Sequence, residues 1–419
     1  MAQSNMNADM NADDYVQILM GDEQEEKDKV IQQLLDYEKA GYLKITRTDG
    51  HTTGIRLMTM NYTEKQNATP VSDWHPLMTL SRGMVISQTS TGYDLVVDGL
   101  RKFHSHHRDE NIDLMDGDQD KMYSIMTKYD GSCINIAYIE SDDNMYVGTR
   151  NGPRGDQAGY AREILQHGGE ETVKTLYLEH NVRTIHAELL DKRLNRTVPY
   201  LNENPSLVII SARHRDGAEY DHAQLETLAN MFENPQITHG KAEHLNGAQL
   251  KEKIQELNEG VSSYEDILEG FVVRTSDGVM YKVKGRQYLE VDHAPRPNLA
   301  NIMKVKGKKK KGKKVFTDVE SYIAFANEKV DTDFNFDSYP PEFHQDLRSY
   351  LDKQIDEEAT KLSRTLSLAQ AEIDLLVDSG DVDADDIRSM KRAIGMKMKV
   401  DGRSPVLKLA MSLLKKQQY

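Results

Sequence analysis

Three short stretches concentrate the chemistry of this chain: Lys128-Tyr129-Asp130-Gly131-Ser132, Glu269-Gly270-Phe271-Val272-Val273 and Tyr281-Lys282-Val283-Lys284. Strand side chains alternate between faces, so Lys282 and Lys284 point the same way. A turn at Ser276-Asp277-Gly278 folds their strand back beside the one starting at Glu269. Two ammonium groups and a carboxylate then share one sheet face. A lysine amine attacks phosphorus only when neutral, and an ordinary one, with a pKa of about 10.4, is almost wholly charged at pH 7. Neighbouring cations, a bound divalent metal and partial burial each lower that value, and the same cations neutralise a triphosphate and a departing pyrophosphate. Each string also has a plainer reading. Asp-Gly is a common turn dipeptide, and a K-x-K strand often protects an exposed sheet edge. Apolar residues flanking Lys282 and Lys284 favour an inner strand.

Such a cluster needs a scaffold, and 419 residues exceed one comfortable core, so two domains are expected. The lone cysteine, Cys133, excludes an internal disulfide, and 29% charged with 38% hydrophobic residues is the balance of a soluble protein from a reducing compartment, best the cytoplasm. The start, MAQSNMNADMNADD, lacks a signal peptide's basic and apolar regions, and no run approaches the roughly 18 apolar residues of a membrane span. A net charge of -15 argues against indiscriminate coating of nucleic acid, though not against a local basic groove.

Along the chain, residues 1–15 are polar and aperiodic and read as a disordered tail. An amphipathic helix is predicted from Glu23 to about Lys39, with Gly41 placed to stop it. The period then changes to two. Hairpins are predicted for Leu43–Arg47 with Gly54–Tyr62 around an Asp49-Gly50 turn, for Met84–Ser87 with Tyr93–Val97, for Ile134–Glu140 with Met145–Thr149, and for Phe271–Arg274 with Val279–Val283. Helical signals interrupt them at Ala158–Gln166 and Ala223–Phe232, and a helix-like approach leads into Lys128. Residues 304–314, KVKGKKKKGKK, hold eight lysines in eleven positions. Beyond them every signal is helical: Asp318–Glu328, about Pro341–Val377, Ala384–Met396, and a last helix with Ser404 as N-cap and Pro405 first. The predicted class is α+β, as a tail at 1–15, an antiparallel-sheet domain at 16–297, a Lys-rich linker or loop at 298–316 and an all-α domain at 317–419.

The motifs and their order resemble the nucleotidyltransferase superfamily of ligases and capping enzymes, and within it the tRNA-repairing RNA ligases of T-even bacteriophages. Thr127-Lys128-Tyr129-Asp130-Gly131-Ser132 is similar to that family's motif I. Arg82-Gly83 in LSRGMVIS resembles its upstream arginine-glycine strand, and Lys102-Phe103 the lysine-phenylalanine element. Glu188 in HAELLDKRLNRTVPY resembles the motif III glutamate. EGFVVR resembles motif IV, YKVKG motif V, and Tyr288 the tyrosine that follows it. The likeness spans about residues 40–295. Two details depart from the pattern: FHSHHRDEN follows Lys102 in place of a phenylalanine-rich segment, and Arg150 in VGTRNG stands where the family has a phosphate-contacting lysine.

This resemblance implies an ATP-dependent RNA ligase with a nucleotidyltransferase domain. Lys128 would take AMP from ATP, pass it to an RNA 5'-phosphate, and a 3'-hydroxyl would then seal the strand. Asp130 would orient Lys128 or a metal-bound water, and Lys282 and Lys284 would neutralise the α-phosphate. Arg82, Lys102, Thr127, Gly131, Arg150, Gly270 and Tyr288 would complete the ATP site. Glu188 would bind the ribose of ATP or the metal shell, and Glu269 would help hold a hydrated Mg2+, or Mn2+ in its place. RNA ends, tRNA among them, are the implied partners, with no membrane and no protein partner.

Other features weigh less. His104, His106 and His107 lack the spacing of a metal site, and Trp74 beside Pro76 reads as a packing residue. The lysine run could bind RNA phosphates, serve as a solvated linker or act as a localisation tract. Rival functions are a DNA ligase or mRNA guanylyltransferase, both of which normally append an OB-fold and not helices, and a non-catalytic RNA-binding protein on a ligase scaffold.

Overall fold

The computed structural model describes residues 10–69, 73–102, 104–105, 114, 120–166, 168–194, 197–198, 204–276, 278–292, 299–303, 315–339, 341–379, 382, 386–400 and 404–416. The chain divides into two compact units, Met1–Val261 with Glu265–Asp292, and Ser262–Tyr264 with His293–Tyr419.

The first unit opens with α1 (Ala12–Met20) and α2 (Gln24–Lys39). The tail expected to reach residue 15 therefore ends earlier. Asn11 accepts from the N–H groups of Asp13 and Asp14 while Asp14 reaches back to Asn11, a capping box, and Tyr15 is fully buried. Strands β1 (Leu43–Asp49) and β2 (Arg56–Tyr62), helices α3 (Glu64–Asn67) and α4 (Pro76–Leu80), and strands β3 (Arg82–Gln88) and β4 (Tyr93–Val97) follow. The four strands form one antiparallel sheet in sequence order. Alternation gives it two apolar faces. Ile45, Met58, Met60 and Met84 pack on α1, α2 and α4, while Leu57, Val85 and Val97 pack on Ala137, Ile139 and Tyr146. The chain between β1 and β2 passes through Asp49-Gly50, and the buried Asp142 carboxylate accepts from the N–H groups of His51 (2.7 Å) and Thr52.

Next come β5 (His104–Ser105), β6 (Met122–Lys128), β7 (Ser132–Ile139), β8 (Asn144–Gly148), α5 (Asp156–Leu165), α6 (Gly169–Glu179), β9 (Val182–Leu190) and β10 (Ser206–His214). The unit closes with α7 (His222–Asn230), β11 (Ile237–His239), β12 (Ala242–Asn246), α8 (Gly247–Glu259), β13 (Gly270–Thr275), β14 (Met280–Lys284) and α9 (Arg286–Asp292). One sheet runs β11-β10-β9-β7-β8, its apolar face packed under α5, α6 and α7 by Ile134, Ile136, Ile185, Leu207 and Ile209. The other runs β12-β6-β13-β14-β5, with Tyr123, Ile125, Phe271, Val273 and Val283 against Leu250 and Ile254 of α8. All pairings are antiparallel except β10 with β11 and β14 with β5. The approach to Lys128 is thus a strand. MYSIMTK mixes helix formers (Met122, Met126, Lys128) with the strand formers Tyr123, Ile125 and Thr127, and cross-strand pairing on both sides decides its conformation.

The second unit holds α10 (Leu299–Ile302), α11 (Val319–Asp333), α12 (His344–Asp378), α13 (Ile387–Val400) and α14 (Pro405–Lys416). Ala369, Ile373, Met390, Ile394, Leu407 and Leu414 form the core that joins α12, α13 and α14. Ser404 Oγ accepts from the Leu407 N–H at 3.2 Å and Pro405 takes the first helical position, as the sequence signals require. The fold class is α+β, antiparallel sheets followed by helices. Among the described residues no helix is long and apolar enough to cross a membrane. The lysine run at 304–314, together with His106, His107, Asn195 and Arg196, lies outside the described residues.

Candidate active site

Strand register builds a row. Lys128 ends β6 directly opposite Gly270 of β13, and Gly270 lies opposite Lys284 of β14. Glu269, one residue earlier, reaches both amines: its Oε2 is 2.7 Å from Lys128 Nζ and its Oε1 is 2.9 Å from Lys284 Nζ. The carboxylate is 5% exposed and the two lysines 21% and 26%, so the row lines an opening and not a sealed core. Gly270 is required there. Its φ is 142°, and a Cβ would sit 1.9 Å from the Val283 carbonyl oxygen.

Lys282 stands two residues before Lys284, on the same face of β14. Burial and the positive charges of Lys102, Arg82, Lys128 and Lys284 pull its amine down to about 8. Four other cations therefore lie near enough to act on Lys282. A lysine whose folded pKa lies below its unfolded value releases its proton earlier in the folded state, so between pH 8 and about 10.4 the unfolded chain binds more protons and stability rises with pH. The ligand-free protein is expected to gain melting temperature across that window, and Lys282→Met to flatten the gain. Superimposable pH profiles of melting for the two proteins would remove Lys282 as the source.

Tyr288 of α9 closes one side. Lys284 Nζ lies 4.7 Å from its ring centre, and the buried phenol is pushed well above its usual range by burial and then by the charges of Glu269, Asp130 and Asp292.

After Lys128 the chain crosses from the sheet of β6 to the sheet of β7. Gly131 permits the crossing, since a Cβ would meet the Leu189 carbonyl oxygen at 2.4 Å and Glu188 Cγ at 2.7 Å. The Gly131 N–H donates to Glu188 Oε1 at 3.1 Å, so Glu188 grips the turn from β9. Asp130 does something the sequence did not foretell. It is buried, and its Oδ2 accepts from the N–H groups of Thr197 (2.8 Å) and Val198 (3.0 Å), while Thr197 Oγ1 donates to Asp292 Oδ1 at 2.9 Å. The acceptor pair fastens the segment after β9 behind the lysine. Backbone donors leave no mark in a sequence, which is why Thr197 and Val198 were missed.

Arg82 opens β3, followed by Gly83 at φ 87°. The Gly83 carbonyl accepts from Asn135 Nδ2 at 3.1 Å, and Asn135 Oδ1 lies 2.9 Å from His186 Nδ1. With the Asn135 nitrogen committed to Gly83, its oxygen is the acceptor and His186 carries its proton on Nδ1. Burial holds this histidine neutral, down to about 3. A Cβ on Gly83 would lie 3.0 Å from Arg150 Cα, so Arg82 and Arg150 are neighbours across this glycine. Cys133, paired with Glu188 across β7 and β9, has its thiol pushed up to about 12 by burial and Glu188, against the lowering pull of Arg82, Lys128 and Arg150.

Two other expected residues sit differently. Lys102 Nζ is held 2.7 Å from Asn67 Oδ1 and 3.3 Å from the Tyr62 hydroxyl, over the rings of Tyr62 and Trp74, although Lys282 still feels its charge. Thr127 pairs with Phe271, and alternation turns its side chain to the face opposite that of Lys128. Its backbone, not its hydroxyl, adjoins the lysine.

Among the described residues no group of three or more His, Cys, Asp or Glu side chains could cage a metal ion. Glu188 and Glu269 flank the 128–131 segment, and one or two carboxylates with water and substrate phosphates is the donor set that hydrated Mg2+ or Mn2+ takes. The residues present fit such an ion.

Residues 80–288, about half of the chain, match the family model described as RNA ligase. The match likens this stretch to RNA ligases. It spans every residue singled out above from Arg82 to Tyr288. No curated protein sequence matches the chain. Solved structures similar to it include an archaeal ATP-dependent RNA ligase in two forms. Form 1 shows 11% identity over 92% of this chain and 95% of that one, with a TM-score of 0.41. Form 2 shows 12% identity over 88% and 86%, with a TM-score of 0.40. A Naegleria gruberi RNA ligase with PPi shows 16% identity over 41% of this chain and 52% of that one, with a TM-score of 0.32. A variant of that ligase with ATP and Mn shows 15% identity over the same shares, with a TM-score of 0.31.

Proposed function

We propose that this protein is an ATP-dependent RNA ligase that works through a Lys128–AMP intermediate and acts in RNA repair, with tRNA among its substrates. The observation that supports it most is the Lys128–Glu269–Lys284 row beside Lys282, whose amine is pulled down to about 8 by burial and then by its cationic neighbours. Lys128 Nζ attacks the α-phosphorus, a P–N bond forms, and the bond to pyrophosphate breaks. Lys282, Lys284 and Arg82 take up the charge of the phosphates. An oxygen of an RNA 5'-phosphate then attacks the same phosphorus, the P–N bond breaks, and Lys128 regains a proton. A 3'-hydroxyl displaces AMP from the RNA end and seals it. Glu188 and Glu269 would hold a Mg2+ or Mn2+ ion, which would supply further positive charge at the phosphates. Glu269 also holds Lys128 at the mouth of the site; once that ion pair opens, the Lys128 ammonium gives a proton to solvent and its amine attacks.

The test is incubation with α-phosphate-labelled ATP and Mg2+, then with RNA bearing a 5'-phosphate and a 3'-hydroxyl. Label is expected first on denatured protein, then on the RNA 5' end, and finally as free AMP with a longer RNA. Labelled GTP serving as well as ATP would favour a capping enzyme, and no labelled protein with either would end the proposal.

A further inference from the structure

A ligase must also guide the strand that leads away from the joined end, and the first sheet carries a row of residues that the nucleotide site does not use. Lys44 pairs with Asn61 across β1 and β2, and Asn61 pairs with Arg82 across β2 and β3. Asn61 Nδ2 donates to Asn151 Oδ1 at 2.9 Å. That contact brings the tip of the turn after β8 onto the row, and a Cβ on Gly152 would touch Thr46 at 3.5 Å on the face that also carries Lys44. Thr149 and Gly152 close this turn by two reciprocal 3.0 Å backbone hydrogen bonds, leaving Arg150 and Asn151 exposed at its tip, with Arg154 just beyond. Arg162 steadies the base by donating to the Val147 and Pro153 carbonyls.

Lys44, Arg150 and Arg154 are exposed, and none makes an ion pair among the described residues. The row is continuous with the site, because Arg82 and Arg150 act on Cys133 together with Lys128, and Arg82 acts on Lys282. Two strand spacings place Lys44 about 10 Å from Arg82 in the backbone, with amides between the cations. Cations interleaved with amide groups suit a sugar–phosphate backbone, the cations meeting phosphates and the Asn151 amide nitrogen, its oxygen already held by Asn61, donating outward.

We infer that Lys44, Asn61, Asn151 and Arg154 form a path for the backbone of single-stranded RNA leading from the nucleotide site across the first sheet. The inference rests on the RNA ligase reading. Its test uses the full chain carrying both Lys44→Ala and Arg154→Ala, a charge-matched control carrying Lys241→Ala and Lys251→Ala, and a short 5'-phosphorylated single-stranded RNA as probe. Self-adenylylation with labelled ATP is expected to stay at the wild-type level in both, which also shows that both are folded. RNA affinity of the first variant is expected to fall about tenfold near 0.1 M salt, and the slope of log K against log salt to flatten by about 1.4, two single-strand phosphate contacts. An unchanged affinity and slope, or an equal loss in the control, overturns the path. Absence of self-adenylylation in the wild-type protein instead defeats the ligase reading, while the RNA-binding arm is still read on its own.

Discussion

Replacing Lys128 by alanine is expected to abolish covalent capture of AMP, a loss of at least about 10^4-fold in the first step, because no other group can substitute for a lost nucleophile. Lys128→Arg separates two explanations. A guanidinium keeps the positive charge and can still meet Glu269, but it is not deprotonated in proteins and cannot attack phosphorus. Both variants should therefore give no labelled protein. They should part company on RNA that already carries a 5'-AMP cap, whose sealing needs positive charge but no lysine nucleophile. Lys128→Arg should seal it within about tenfold of wild type, and Lys128→Ala more slowly. Labelled protein from either variant, read by denaturing electrophoresis, would move the covalent step to another residue.

The second large effect is structural. Gly270→Ala forces a Cβ to 1.9 Å from the Val283 carbonyl oxygen, a contact that cannot be relieved by a rotamer because the obstacle is backbone of the paired strand. The residue also sits at φ 142°, which an alanine reaches only with strain. We expect a loss of more than about 3 kcal/mol, and displacement of the Lys128–Glu269–Lys284 row even where the protein still folds. Gly278→Ala is the comparison. It has φ 84° at the other end of the same hairpin, but a Cβ there meets nothing within 4 Å, so only backbone strain of about 1 kcal/mol is expected. Thermal melting and self-adenylylation measured side by side decide the matter, and equal behaviour of the two variants would mean that β13 and β14 yield at position 270.

How much of this was legible depends on what kind of contact each residue makes. Lys282 and Lys284 could be placed on one face because strand alternation is a local rule, and the hairpin that returns them to Glu269 is announced by Gly278. Helix ends such as Ser404-Pro405 were legible for the same reason. The Asn11-x-x-Asp14 cap of α1 was equally local but lay inside a segment judged by its polar composition, so the burial of Tyr15 and Leu19 went unread. The relation of β6 to its partners was not legible, because its mixed propensities are decided by strands distant in sequence. Nor was the His186–Asn135–Gly83 chain, which links three separate strands through groups common in any core. The lysine cluster was readable as types and spacing; which carboxylate holds which amine is fixed by the register, and that emerges only from the fold.

The way Asp130 is employed bears on how defects at that position are interpreted. Its oxygen anchors two consecutive amides of the strand of chain returning from Glu188, so an alanine there removes a tether and an anion together. An inactive Asp130→Ala protein would by itself say nothing about proton transfer or cation binding. Asparagine keeps a carbonyl oxygen for the amides and discards only the charge, and the difference between the two replacements measures whichever duty the acid performs beyond mooring its neighbours.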